Sequence, residues 1–103
     1  MIDIVASNLE QIRALCREYG VARLDLIGSA ATGAFEPGRS DIDFLVEYAP
    51  GADLGPWMRR YLELRDRLAA LLGHPVDLVI AKTVNNRFIL RAIEAQRQPL
   101  YAA

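Results

Sequence analysis

The strand-like segment 41–48 constrains the fold more than any other part of the chain. Apolar side chains mark one face of it, Ile42, Phe44 and Val46, and the opposite face carries Asp41, Asp43 and Leu45. This period of two predicts a β-strand with one face against a core. The two carboxylates leave its other face about 7 Å apart along the backbone. Such a strand needs a sheet with helices covering one side.

Hydrophobic periodicity predicts alternating helices and strands in the rest of the chain. The predicted helices are Ser7 to Gly20 (opened by a Ser7–Glu10 capping box), Pro56 to Leu72, and Asn85 or Asn86 to about Arg97, which Pro99 ends. The other predicted strands are Val21 to Ile27 and Val76 to Ile80, with a short terminal segment at Leu100-Tyr101. Gly28 to Gly33 is predicted as a tight turn or a short helix, and Phe35 to Ser40 as a loop. This order predicts an α/β (α+β) fold with a small mixed sheet covered by helices.

Side-chain patterns also predict which residues pack inward. Trp57 and Tyr61 lie on the apolar stripe of the long helix, and Phe88, Ile89, Ala92 and Ile93 form the inward face of the last helix. Cys16 is expected to be buried and inert, and His74 and Ser40 to be turn residues.

Length and composition exclude several classes of protein. With 103 residues, the chain is expected to form one domain, residues 1–103. Apolar residues make up 52% of it, so disorder is excluded, and 12 basic against 13 acidic residues argue against direct nucleic-acid binding. A single cysteine allows neither an internal disulfide nor a thiolate zinc site. The sequence has no long apolar run of the kind that indicates a membrane span or a signal peptide. A cytoplasmic protein is therefore expected.

The polar residues around the predicted strand suit phosphate chemistry. Asp41 and Asp43 converge on one small volume, where their repulsion favours a bound cation, and hard oxygen ligands suit Mg²⁺. Asp77, on a predicted neighbouring strand, would supply a third carboxylate and so allow two metal ions about 4 Å apart. Gly28 and Ser29 follow a strand directly, where a phosphate can approach the backbone. Together these groups predict phosphoryl or nucleotidyl transfer.

At these residues the sequence resembles a known family. Gly28-Ser29, a loop, and then Asp41-Ile42-Asp43 are similar to the signature of nucleotidyltransferases with the DNA polymerase beta-like fold. The segment GSAATGAFEPGRSDIDFLVE most resembles the minimal nucleotidyltransferase, or MNT, branch, and the likeness covers nearly the whole chain. The resemblance implies the palm-like fold of that superfamily. The combined motif is specific, whereas either half alone is weak.

The resemblance implies a role for each matching residue. Gly28 and Ser29 would bind the nucleoside triphosphate, ATP; Asp41, Asp43 and Asp77 would be catalytic and would bind Mg²⁺, with two ions expected. Two features depart from the family pattern. The loop between Ser29 and Asp41 is one residue longer than usual, and Thr32 stands where many members have a basic residue. A loop absorbs an extra residue at small cost.

The resemblance also implies a partner. MNT proteins are commonly antitoxins paired with a helical ribonuclease toxin called HEPN, and some transfer AMP to a tyrosine of that toxin. The expected function is therefore a magnesium-dependent antitoxin of this kind, acting in a homo- or hetero-oligomer. Two alternatives stay open: an antitoxin that occludes its partner with a vestigial site, and a small-molecule nucleotidyltransferase.

Overall fold

A four-stranded mixed sheet organises the computed structural model, which describes residues 1–103. The strands are β1 (Val21–Ile27), β2 (Ile42–Tyr48), β3 (Val76–Ile80) and β4 (Gln98–Ala102). The helices are α1 (Asp3–Ser7), α2 (Leu9–Glu18), α3 (Ser29–Thr32), α4 (Arg59–Leu72) and α5 (Arg87–Gln96), with single 3₁₀ turns at Pro56–Met58 and Ala81–Thr83. This architecture confirms the predicted α+β fold and its mixed sheet.

The strand order is β3-β2-β1-β4. β1 runs antiparallel to both β2 and β4, whereas β2 and β3 are parallel. The end of β1 and the beginnings of β2 and β3 therefore lie at the same edge of the sheet. The residues predicted to carry chemistry are concentrated at this end of the sheet.

The main core lies on one face of the sheet. The predicted alternation in β2 is confirmed, because Ile42, Phe44 and Val46 are fully buried in a cluster with side chains from the helices. The helical members include Ile12 and Cys16 of α2, and three leucines of α4, Leu64, Leu68 and Leu72. Burial raises the pKa of the Cys16 thiol to about 12, as expected for an inert core cysteine.

The N-terminal capping box predicted at Ser7 is wrong. Ser7 is the last residue of α1, and its hydroxyl donates to the Asp3 carbonyl instead of capping α2. Asn8, which precedes α2, makes no side-chain cap but donates to the Ile4 carbonyl. The local hydrogen bonds of these side chains therefore close a preceding turn, which competes with capping for the same groups.

Trp57 was predicted to lie in the core and is instead 94% exposed. The long helix begins only at Arg59, because Trp57 and Met58 adopt positive φ angles of 56° and 55°. Tyr61 is the first aromatic residue of the stripe to pack on the core, and its hydroxyl donates to the Leu78 carbonyl at 2.6 Å. The helical period correctly identified the apolar stripe of α4, but Trp57 lies in the turn before the helix and so does not belong to it.

Replacing Trp57 with glycine is expected to stabilise the protein. A left-handed conformation strains an L-residue, and glycine relieves the strain at a smaller entropic cost, so the free energy of unfolding should rise by about 0.5–1 kcal/mol. Ala70→Gly is the control, because it places glycine at an exposed position inside α4 and should cost about 0.5–1 kcal/mol. Denaturant unfolding measures both variants. Equal destabilisation by the two substitutions would contradict the positive φ at Trp57.

Helix α5 is capped as predicted but does not bury the predicted face. The Asn86 side chain accepts hydrogen bonds from the Phe88 and Ile89 amides, at 2.9 and 3.2 Å. Phe88 and Ile89 themselves are 82% and 54% exposed, so their predicted inward position is wrong. Pro99 lies inside β4 rather than at the end of the helix. No helix of the chain has the length and apolar character that crossing a bilayer requires.

Candidate active site

Four of the five predicted site residues are placed by the ends of strands. Gly28 and Ser29 follow β1 directly, Asp43 is the second residue of β2, and Asp77 is the second residue of β3. Asp41 immediately precedes β2, which begins one residue later than predicted. The strand order brings all five to one end of the sheet, as the sequence predicted.

The register places two carboxylates side by side. Asp43 is the direct partner of Asp77 across the parallel β2–β3 pair and of Ile27 across the antiparallel β1–β2 pair. Adjacent strands lie about 4.8 Å apart, so both carboxylates leave neighbouring positions on the sheet face opposite the main core. We call this face, defined by Asp25, Ile27, Asp43, Leu45 and Asp77, the site face.

Asp43 is the most perturbed acid of the site. Burial raises the pKa of its carboxyl above the ordinary value, and the charges of Asp77 and then Asp41 raise it further. Asp41 and Asp77 are exposed, whereas Asp43 is half-buried. The site thus concentrates negative charge around one partly desolvated carboxylate.

Gly28 makes room for this carboxylate. A Cβ atom at Gly28 would lie 2.5 Å from Oδ2 of Asp43, and the residue has φ +67° and ψ −151°. This backbone conformation is essentially restricted to glycine. The Asp43 side chain therefore packs directly against the chain at the β1–α3 turn, which places it beside Ser29.

The connection between α3 and β2 is held at both ends. The Glu36 amide donates to the Ser40 hydroxyl at 3.0 Å, which confirms Ser40 as a turn residue. The ring of Phe35 packs edge-on against His74, with centroids 5.7 Å apart. His74 lies in the turn before β3, with Nδ1 3.0 Å from the Leu72 carbonyl oxygen, as its predicted turn position requires.

The donor set fits Mg²⁺. No three acidic, cysteine or histidine side chains are arranged closely enough to surround one ion by themselves. Magnesium does not need such a cage, since it takes one or two carboxylates together with water and substrate phosphates. Burial and then the charges of Asp77 and Asp41 raise the pKa of Asp43, and adjacent carboxylates of this kind form a site that a cation neutralises.

The site is an open surface rather than a cavity. The most enclosed cavity, of about 290 Å³, lies at the opposite ends of β2 and β3, against Tyr48, Leu54, Met58 and Ile80. None of the four cavities of the molecule is lined by a predicted site residue. Binding sites for small molecules are usually concave, so this site differs from them in shape.

A buried ion pair that the sequence did not reveal also lies on the site face. Asp25 is 1% exposed and is the only buried charged residue; it contacts Arg23 and Arg97. A carboxylate inside the apolar run Leu24-Asp25-Leu26-Ile27 was the available signal. The alternation of β1 predicts a half-exposed face there, and the sequence does not show that Arg23 and Arg97 contact Asp25.

The fold and this arrangement of carboxylates define a nucleotidyltransferase. A family model for the nucleotidyltransferase domain matches residues 9–100, and the chain belongs to that family. A "putative protein adenylyltransferase" from Methanocaldococcus jannaschii is 36% identical over 77 residues, covering 75% of this chain and 74% of its own.

Solved structures agree with this assignment. One described as a "putative minimal nucleotidyltransferase" has a TM-score of 0.78 and 27% identity, covering 96% of this chain and 97% of its own. A toxin–antitoxin structure with AMP-PNP contains a chain with a TM-score of 0.72 and 28% identity, covering 93% of this chain and 74% of that one. The minimal nucleotidyltransferase resemblance seen in the sequence is thus confirmed.

Proposed function

We propose that this nucleotidyltransferase is an antitoxin that transfers AMP from ATP to a tyrosine hydroxyl of a HEPN-type toxin. The observation that carries the proposal is the open position of Asp43 and Asp77, outside every cavity of the molecule. ATP would be held there through its phosphates, whereas a small acceptor without them would need walls that this surface does not provide. When the acceptor is a tyrosine of a second protein, the surface of that protein around the tyrosine supplies the missing walls.

The transfer balances as a single displacement. The tyrosine oxygen attacks the α-phosphorus of ATP, the bond from that phosphorus to the bridging oxygen of the β-phosphate breaks, and pyrophosphate leaves. Asp77, which is exposed beside Asp43, takes the proton of the hydroxyl. The product is a phosphodiester between AMP and the tyrosine.

Asp41 and Asp43 would hold Mg²⁺, and Asp77 would complete a two-ion site. When bound, the ions supply positive charge for the attacking and leaving oxygens. Gly28, which lies directly against the Asp43 carboxylate, and Ser29, which follows it, would bind the triphosphate.

The relatives support the choice of nucleotide and partner. The curated relative carries the name of a protein adenylyltransferase, and the antitoxin-containing structure was solved with AMP-PNP, an ATP analogue. A reaction that consumes ATP and protects a cell from its own toxin belongs in the cytoplasm. A hetero-oligomer with the toxin is therefore the working complex that we propose.

Co-expression with the product of the adjacent gene tests the proposal. Intact-mass spectrometry should reveal increments of one AMP on the partner with the unmutated chain, and none with the Asp41→Asn, Asp43→Asn double variant. Fragmentation should locate the increment on tyrosine. Asp66→Asn is the matched control, because Asp66 is exposed on α4 and pairs only with neighbouring Arg65.

The other outcomes are equally informative. A stable complex with unchanged partner mass, which protects equally well without Mg²⁺ or nucleotide, would replace transfer by occlusion. A partner that neither binds nor changes mass would remove the antitoxin proposal, and a screen of small hydroxyl-bearing acceptors would follow.

A further inference from the structure

A second charged group occupies the site face beside the carboxylates. Asp25 is buried, and its Oδ2 lies 3.1 Å from Nε of Arg23 and 3.9 Å from Nη1 of Arg97. Both arginine side chains remain about one-third exposed, at 33% and 32%. We call these three residues the Arg–Asp–Arg cluster. One buried carboxylate shared between two guanidinium groups leaves the cluster with a net positive charge.

The register places Arg97 level with the active site. Gln98 pairs with Leu26, so Arg97, the residue before it, lies level with Ile27. Ile27 is the direct partner of Asp43. Two strand spacings of about 4.8 Å therefore separate the backbones of Arg97 and Asp43. The contact with Asp25 shows that the Arg97 side chain is on the site face.

The active-site carboxylates have no cation of their own. None of the six ion pairs of the chain includes Asp41, Asp43 or Asp77, and α3 has no basic residue in its last turn, where Thr32 stands. A nucleoside triphosphate adds further negative charge. An additional cation within reach would lower the electrostatic cost of placing the triphosphate beside the three aspartates.

Arg97 is better placed for this role than Arg23. Arg23 pairs with Glu47, so it lies farther from the site along β1, and its contact with Asp25 is the closer one. Arg97 makes the looser contact and keeps most of its five N–H donors free. A guanidinium binds phosphate oxygens through two parallel hydrogen bonds.

We propose that Arg97 binds the β- or γ-phosphate of the nucleotide and that Asp25 is a positioning residue that holds Arg97 over the site face. This inference rests on the proposed function, since it concerns the nucleotide of the same site. It assigns the role of the missing α3 cation to a residue at the end of α5, which the sequence places far from the motif.

Calorimetric titration of the full chain with Mg²⁺ and either AMP-PNP or AMP tests the role of Arg97. Arg97→Gln should raise the Kd for AMP-PNP about tenfold, as the loss of a charged hydrogen bond predicts, and leave the Kd for AMP within about twofold. Arg97→Lys should recover part of the loss. Arg91→Gln is the control, because Arg91 is exposed on the same helix and forms no ion pair, and its affinities should not change.

Asp25→Asn tests the positioning role. It should raise the Kd for AMP-PNP less than Arg97→Gln does, and the double variant should bind no more weakly than Arg97→Gln alone. Additive effects of the two substitutions would overturn the positioning role. Melting curves of each variant identify any that fail to fold, and the partly exposed Arg97 keeps the inference testable if Asp25→Asn is one of them.

Three results would overturn the inference about Arg97. Unchanged AMP-PNP affinity in Arg97→Gln would exclude phosphate binding by Arg97 while leaving the proposed function intact. A parallel loss for AMP and AMP-PNP would assign the effect to general damage of the site. A wild-type chain that binds neither nucleotide would instead overturn the proposed function, and this inference with it.

Discussion

Asp43→Asn is expected to remove nearly all of the proposed AMP transfer and to raise the melting temperature of the metal-free protein. The carboxylate of Asp43 is half-buried and is repelled by the charges of Asp77 and Asp41, so its ionised form is costly in the folded state. Asparagine has the same shape without the charge. The proposed magnesium ligand is lost, and several kcal/mol of transition-state stabilisation with it, so the transfer rate should fall by about 10³-fold or more.

The stability effect has a defined pH dependence. Because the folded-state pKa of Asp43 is raised above its ordinary value of 3.8, the folded protein binds this proton more tightly than the unfolded chain does. The ionised carboxylate therefore destabilises the wild-type fold at neutral pH. The melting temperature of Asp43→Asn should exceed that of the wild type by its full amount above the raised pKa. This difference should vanish as the pH falls to about 3.8.

Melting curves in EDTA and in Mg²⁺, between pH 3.5 and 7.5, measure this effect. Mg²⁺ should raise the melting temperature of the wild type and not that of Asp43→Asn, because a ligand stabilises only the state that binds it. Asp66→Asn, on the exposed face of α4, should change neither the rate nor the pH profile. A lower melting temperature for Asp43→Asn in EDTA would contradict the proposed charge repulsion.

The sequence predicted the parts of the fold that depend on local period. The bounds of β1 and β3 match exactly those expected from their apolar runs, and the two faces of β2 follow its alternation. Asp77 was expected on a strand neighbouring that of Asp43, but the parallel register that sets the two residues side by side was not predicted. Asn86 was correctly expected to cap the last helix.

The remaining differences depend on interactions that no local pattern records. Trp57 has the correct helical spacing for the core, yet the backbone there has not entered the helix. Phe88 has the correct spacing on α5, yet this helix has no buried residue. Asp25 has the alternation of a half-exposed strand, yet it is buried and contacts Arg23 and Arg97. The backbone conformation before α4 decided the first outcome, and the surroundings of each face decided the other two.

Gly28→Ala is expected to damage the site more than it damages the fold. The added methyl would lie 2.5 Å from Oδ2 of Asp43, so either the carboxylate or the β1–α3 turn must move. A displacement of about 1 Å at a reacting group costs about 10²-fold in rate, and we expect a loss of this size or larger. The backbone strain adds about 1–3 kcal/mol to the cost in stability.

Gly33→Ala provides the matched control. Gly33 also has a positive φ, +86°, but an added Cβ would have no atom within 4 Å. The Gly33→Ala variant should lose about 1–2 kcal/mol of stability, because alanine is strained in the left-handed conformation, and should keep most of its activity. The comparison of the two alanine variants thus separates backbone strain from displacement of the Asp43 carboxylate.

A double variant isolates the contact itself. With Asp43→Ala as the background, the Oδ2 atom is gone, so Gly28→Ala should cost less stability than it does in the wild type. The difference between the two costs is the energy of the clash, measured by denaturant unfolding. Gly28→Ala could instead cost the same stability in both backgrounds and leave the transfer rate of the otherwise wild-type chain unchanged. Asp43 is then not held against Gly28, and the phosphate chain must be placed elsewhere. If the cost falls, the glycine of the motif is explained by the carboxylate that it admits.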